Sequence, residues 1–102
     1  MEFINLTPHD IVMNNGTTYS SQGVARVTDE YSTFDKDGIC NVKHGEIKNL
    51  PAPKEGVIFI VSAMVLTAAK EIGRKDVVAP ATGHPLCKRE NGFITSVPGF
   101  IH

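Results

Sequence analysis

The stretch that most constrains this chain is the run Val57-Ile58-Phe59-Ile60-Val61, which passes straight into Ser62 and then Ala63 to Ile72 before Gly73. An unbroken β-branched and aromatic run, the most apolar of the chain, reads as a central strand. Ser62 supplies an oxygen for the free N–H groups of a first helical turn, the following residues are mostly good helix formers, and Gly73 tolerates the left-handed stop. The spacing predicts a helix over about 63–72. Its apolar positions Met64, Val65, Ala68, Ala69 and Ile72 share a face that packs on a sheet, while Thr67, Lys70 and Glu71 lie elsewhere.

The rest of the chain reads as short strands between turns. Phe3 to Leu6 and Asp10 to Met13 flank the turn Thr7-Pro8-His9, since Pro8 cannot donate to a ladder. Asn15-Gly16 predicts a type I′ hairpin that returns through Thr17-Thr18-Tyr19. Val24 to Thr28 alternates and sets Arg26 on one face with Val24 and Thr28. Asp37-Gly38 marks another turn, and Leu50 to Gly56 is a connector of proline and glycine type. Beyond the helix, Asp76 to Ala79 is a strand stopped by Pro80, and Asn91-Gly92 pairs Leu86–Arg89 with Phe93–Val97. The tail from Pro98 to His102 carries no assignment. Together these signals predict one α+β domain over 1–102: a compact, mostly antiparallel sheet of about six to eight short strands with one helix.

Composition narrows the function classes. Of 102 residues 41% are hydrophobic and 21% charged, which suits a folded domain able to bury a core without disulfides. A formal net charge of −1 gives no long-range field toward a phosphate backbone, so general nucleic-acid binding is not expected. No apolar run reaches the length of a bilayer span. The start Met1-Glu2-Phe3-Ile4-Asn5 carries no basic region ahead of an apolar stretch, and the two cysteines, Cys40 and Cys87, fit a reducing compartment. The expectation is a cytoplasmic protein.

The residues that can carry chemistry sit at strand ends and turns, where sites on rigid scaffolds gather. The strand-to-helix passage at Ser62 aims N–H groups and a hydroxyl at one point, suited to an anion, although N-capping alone accounts for a serine there. Arg26 in a strand offers a guanidinium fork for phosphate or carboxylate, or an ordinary exposed strand residue. Arg74 and Asp76 follow the helix, where a cation complements the dipole and the two can pair. Thr7, His9, Thr82 and His84 supply neutral hydrogen bonds. The candidate ligand site is therefore Thr7, His9, Arg26, Ser62, Arg74, Asp76, Thr82 and His84.

Metal and catalytic motifs are weaker. Cys40 and His44 are spaced C-x3-H, and His84 and Cys87 H-x2-C, but neither pair forms a recognised zinc knuckle, so no metal is expected. Ser62 lacks a G-x-S-x-G elbow, and Asp29-Glu30 and Asp35-Asp37 fall in hydrated, turn-like stretches, so no catalytic residue is assigned. No glycine-rich phosphate loop or other cofactor motif is present, and the phenylalanines are spread as core residues are.

The segments Asn5-Leu6-Thr7-Pro8-His9, Val24-Ala25-Arg26-Val27, Ile60 to Val65 and Arg74 to Gly83 resemble a family of small phage and prophage proteins, which share an N-L-T-P-H opening and a later R-x-D-x-V-x-P block. The resemblance spans most of the chain and implies a setting, the cytoplasm of a phage-infected host, without implying an activity. With it, the residues point to a non-enzymatic binder that sequesters a small anionic, nucleotide-derived ligand, in the style of anti-defence signal sponges. The alternatives are a nucleotide phosphoesterase or hydrolase using His9 or His84, and a protein–protein interaction module. A homo-oligomer is expected, because a sheet this small leaves open edges.

Overall fold

The computed structural model describes the backbone of residues 1–102 and every side chain except that of His44. The fold is mixed α+β, with ten strands and one helix among the described residues: β1 (Glu2–Asn5), β2 (Ile11–Val12), β3 (Thr18–Tyr19), β4 (Arg26–Tyr31), β5 (Val42–Lys48), β6 (Val57–Ile60), α1 (Ala63–Glu71), β7 (Val77–Pro80), β8 (Lys88–Glu90), β9 (Phe93–Ser96) and β10 (Phe100–Ile101).

The strands do not form the single, mostly antiparallel sheet that the turn signals suggest. β1, β6, β7 and β10 make a four-stranded sheet in that order, and the others form three separate two-stranded hairpins, β2–β3, β4–β5 and β8–β9. The hairpins and the β10–β7 pair are antiparallel, but β1–β6 and β6–β7 are parallel. For β6–β7 the physical reason is the helix: the crossover through α1 carries the chain back so that the next strand of the sheet runs in the same direction. The unassigned tail supplies the antiparallel edge strand, with Phe100 opposite Pro80.

β6 is central, as its composition requires, and its residues divide between two cores. Val57, Phe59 and, just past the strand, Val61 pack in one core with Val77 and Ala79, where Val65, Leu66 and Ala69 of the helix cover them. Ile60 points the other way, toward Ile11, Val97, Phe3, Tyr19 and Phe100. Phe3 stacks on Phe100 with ring centroids 5.4 Å apart, so rings from the two edge strands close over the sheet. Each fully buried Val, Ile or Phe contributes about 1.5–3 kcal/mol, and these two layers supply the cohesion of the domain.

The helix begins as the sequence indicates, with Ser62 Oγ accepting from the Val65 N–H. Its buried face differs: Val65, Leu66, Ala68 and Ala69 are buried, whereas Met64 and Ile72 are 54% and 66% exposed. Ile72 has already left helical geometry as the C-cap, which turns it off the predicted stripe.

Turn chemistry explains the hairpins. Asn91 and Gly92 both adopt positive φ, 52° and 81°, as a type I′ turn demands. At Asn15-Gly16 only Gly16 does, at 92°, and the Met13 N–H bonds the Thr17 carbonyl while the Gly16 N–H bonds that of Met13. That is a three-residue loop with a bulge at the glycine instead of the expected type I′ turn. The β4–β5 register shifts between Val27 and Asp29, and there Gly45 approaches so closely that a Cβ would overlap the Thr28 carbonyl. From Glu30 to Lys43 this hairpin has no buried residue. Such projecting arms raise the accessible surface to 6944 Å², against roughly 5,700 Å² for a compact chain of this mass.

One polar side chain lies inside. Asn5 is 0% exposed, and its amide donates to the His9 and Tyr19 carbonyls, both at 2.9 Å, while its Oδ1 accepts from the backbone N–H of Thr7 at 2.9 Å and the Thr7 hydroxyl at 2.7 Å. It ties the end of β1 to the following loop and to β3. Asn5→Ala is expected to cost about 3 kcal/mol in chemical denaturation, because several buried groups lose their partner together. Asn5→Asp should do no better, since it removes both donors. A loss below about 1 kcal/mol for either variant would show that water replaces these bonds cheaply.

Candidate functional site

The parallel strands set the position of the site. Asn5 partners Ile60, and Ile60 partners Val78, so β1, β6 and β7 release the chain at one common edge. Thr7 follows β1, Ser62 follows β6 and Thr82 follows β7. The carboxyl edge of parallel strands is where ligands bind in open α/β sheets, because the loops there diverge and the helix N–H groups face outward.

A cleft of about 510 Å³ opens at this edge. Thr7, His9, Asp10, Ile11 and Val12 form one wall, Ser62 and Ala63 the floor at the helix start, Pro80 and Thr82 a second side, and Ile94 to Val97 the third. A wider groove of about 720 Å³ lies across the helix start, between α1 and the β4–β5 hairpin. Arg26, Asp29 and Tyr31 of β4, Lys48 of β5 and Met64 of α1 border it, and Thr7 and Ser62 line both depressions.

The predicted site residues therefore separate into four groups. Thr7, His9, Ser62 and Thr82 converge on the cleft, and Arg26 borders the adjoining groove together with Thr7 and Ser62. His84 does not line either; its Nδ1 accepts from the Leu86 N–H at 3.0 Å and shapes the loop before β8. Arg74 and Asp76 lie at the opposite end of the sheet, ahead of β7, where Arg74 Nε and Nη2 each reach a different oxygen of Asp76 at 2.9 Å. The same Nη2 donates to the Pro51 carbonyl at 2.9 Å, so this guanidinium fastens the proline connector to the start of β7. Arg74 and Asp76 share no lining with the cleft or the groove.

Within the cleft the hydrogen-bonding capacity is uneven. The Thr7 hydroxyl hydrogen is shared between Asn5 Oδ1 and the His9 carbonyl, which leaves that oxygen chiefly as an acceptor. Ser62 Oγ accepts the capping N–H at 3.4 Å and keeps its own hydrogen for another group. The Thr82 carbonyl is held by Arg89 at 2.7 Å, and the Ser96 hydroxyl by Asn14 Oδ1 at 2.6 Å. Asp10 Oδ1 accepts the Ser21 N–H at 2.9 Å.

Asp10 and Lys48 were not legible as site residues in the sequence. Asp10 stands next to the Thr7-Pro8-His9 turn, which is its only signal, and Lys48 reaches the groove because the hairpin register sets it opposite Arg26. Among the described residues no three His, Cys, Asp or Glu side chains group as metal ligands, and Cys40 and Cys87 are free thiols. His44, part of the weighed zinc set, lies outside the described side chains. No helix among the described residues is long and apolar enough to cross a membrane.

Comparison with protein-family models, curated proteins and solved structures returns no match.

The Arg74–Asp76 pair carries a pH signature. The Arg74 hydrogen bonds hold the Asp76 carboxyl below its ordinary value of 3.8, against burial, which pushes it up. A depressed folded value means that the pair's stabilisation is complete above the unfolded carboxylate range and is lost as the pH falls through the folded value. Asp76→Asn is therefore expected to be less stable than the parent by about 1 kcal/mol at neutral pH, discounted because the pair still touches solvent. The gap should close as the pH drops below 3.8. A constant gap across an acid denaturation series would contradict this assignment.

Proposed function

We propose that this chain binds a small, nucleotide-like anion at the carboxyl edge of its parallel strands and holds it without converting it. The observation that carries the reading is the convergence of Thr7 and His9 from the loop after β1, Ser62 from the end of β6 and Thr82 from the loop after β7 around one cleft of about 510 Å³. That volume falls within the range of roughly 300–1,000 Å³ that small ligands occupy, and its walls mix apolar side chains with a few polar groups. Arg26 on the adjoining groove supplies a guanidinium for an anionic group. Sequestration of a nucleotide-derived immune signal in a phage-infected cell is the biological role that suits such a binder, given the resemblance to phage and prophage proteins.

A hydrolase reading is favoured by one observation, that His9 and Asp10 line the same cleft. Of its two candidate histidines only His9 lines the cleft, because His84 is turned to its own loop. The two readings separate when a bound nucleotide is recovered after denaturation of the protein: intact for a binder, cleaved for an enzyme.

A thermal-shift series with mononucleotides, cyclic mononucleotides and cyclic dinucleotides tests the proposal. A probe present at a hundred times its Kd stabilises by about 2.7 kcal/mol, a rise of several degrees in Tm for a domain of this size. Arg26→Ala should weaken the best probe by about 2 kcal/mol, with the Tm of the free protein nearly unchanged, and Arg26→Lys should recover only part of it. An Ala variant that melts well below the parent yet binds normally would make Arg26 a structural residue. No shift with any nucleotide would remove the proposal.

A further inference from the structure

Charge is divided unequally between the two depressions that meet at Thr7 and Ser62. In the cleft the titratable side chains are His9 and Asp10, so its fixed charge is negative. One Asp10 oxygen is taken by the Ser21 N–H, and the carboxylate can still accept from a ligand. Phosphate placed there would meet like charge at close range.

The groove carries the opposite sign. Arg26 and Lys48 are direct partners on β4 and β5, and both border it. Two cations opposite one another on neighbouring strands repel, which costs stability unless an anion lies between or beside them. Asp29, the one carboxylate on the same groove, offsets part of this charge and leaves the balance positive. Tyr31 adds an exposed ring beside them.

We infer that the ligand lies across Thr7 and Ser62 with a fixed polarity: its phosphate in the groove against Arg26 and Lys48, its uncharged, N–H-bearing end in the cleft against Asp10. This rests on the ligand-binding reading above and narrows it to a nucleoside phosphate. A nucleobase suits the cleft's chemistry, since its flat apolar faces match a lining that includes Ile11, Val12 and Pro80, and its amino group donates to a carboxylate. Lys48 and Asp10 thereby become specificity residues at opposite ends of one ligand.

Calorimetric titration with ADP and with adenosine tests the polarity, using the parent chain, Lys48→Met and Asp10→Asn, each first checked for an unchanged Tm. Lys48→Met should weaken ADP about tenfold, the loss of one charge-assisted contact, and leave adenosine unaffected. Asp10→Asn should weaken both probes by the same factor. If Asp10→Asn tightens ADP, or if Lys48→Met weakens both probes equally, the polarity is wrong while the binding site stands. If the parent binds neither probe, the nucleoside phosphate assignment falls, and the nucleotide series above then decides whether the broader reading survives.

Discussion

The four hydrogen bonds of Asn5 fix the geometry on which the site depends. A buried amide has two donors and an acceptor that must all be satisfied where water cannot enter, and here they are satisfied by Thr7, His9 and Tyr19 alone. The consequence is a loop after β1 with little freedom. Ser21 reinforces it, donating its hydroxyl to the Thr7 carbonyl and its N–H to Asp10, while the Gln22 N–H bonds the Asn5 carbonyl. The N-L-T-P-H segment is in this sense a structural device: Asn5 anchors, Thr7 and His9 complete its bonding, and the same turn presents one wall of the cleft.

The other walls arrive by the logic of the parallel sheet. β6 ends in a cap that starts α1, so Ser62 is held both by the strand behind it and by the helix ahead. β7 returns parallel to β6 and brings Thr82 to the same edge, with the Ala81 N–H bonded to the Gly99 carbonyl beside β10. At the far end the Arg74–Asp76–Pro51 contacts keep the start of β7 in place. The Asn5–His9 and Arg74–Pro80 segments thus serve opposite ends of one sheet, one shaping the edge that carries the cleft and the other securing the strand that leads to it.

What the sequence discloses follows the range of the forces involved. The helix from Ser62 to Gly73 and the Asn91-Gly92 turn are set by local capping and by φ preferences, and both are readable residue by residue. The parallel pairing of β1 with β6 joins segments more than fifty residues apart, and alternation of side chains is the same in parallel and antiparallel strands, so direction is invisible in the pattern. That is why the sequence marks Thr7, Ser62 and Thr82 as strand-end residues without separating Arg74 and Asp76 from them: which strand ends share an edge of the sheet depends on the direction of pairing. Lys48 was hidden for a related reason, because its position opposite Arg26 depends on a register with a shift beside Gly45.

The central claim is that ligand binding belongs to the carboxyl edge of the parallel strands, and amide chemical-shift mapping of isotope-labelled protein during titration with ADP tests it most directly. The expected result is a set of shifts concentrated at Thr7, Ser62, Ala63 and Thr82, with the amides of Arg74 and Asp76 unmoved at the other end of the sheet. Shifts centred on Arg74 and Asp76, or on the outer half of the β4–β5 hairpin with the cleft silent, would contradict it.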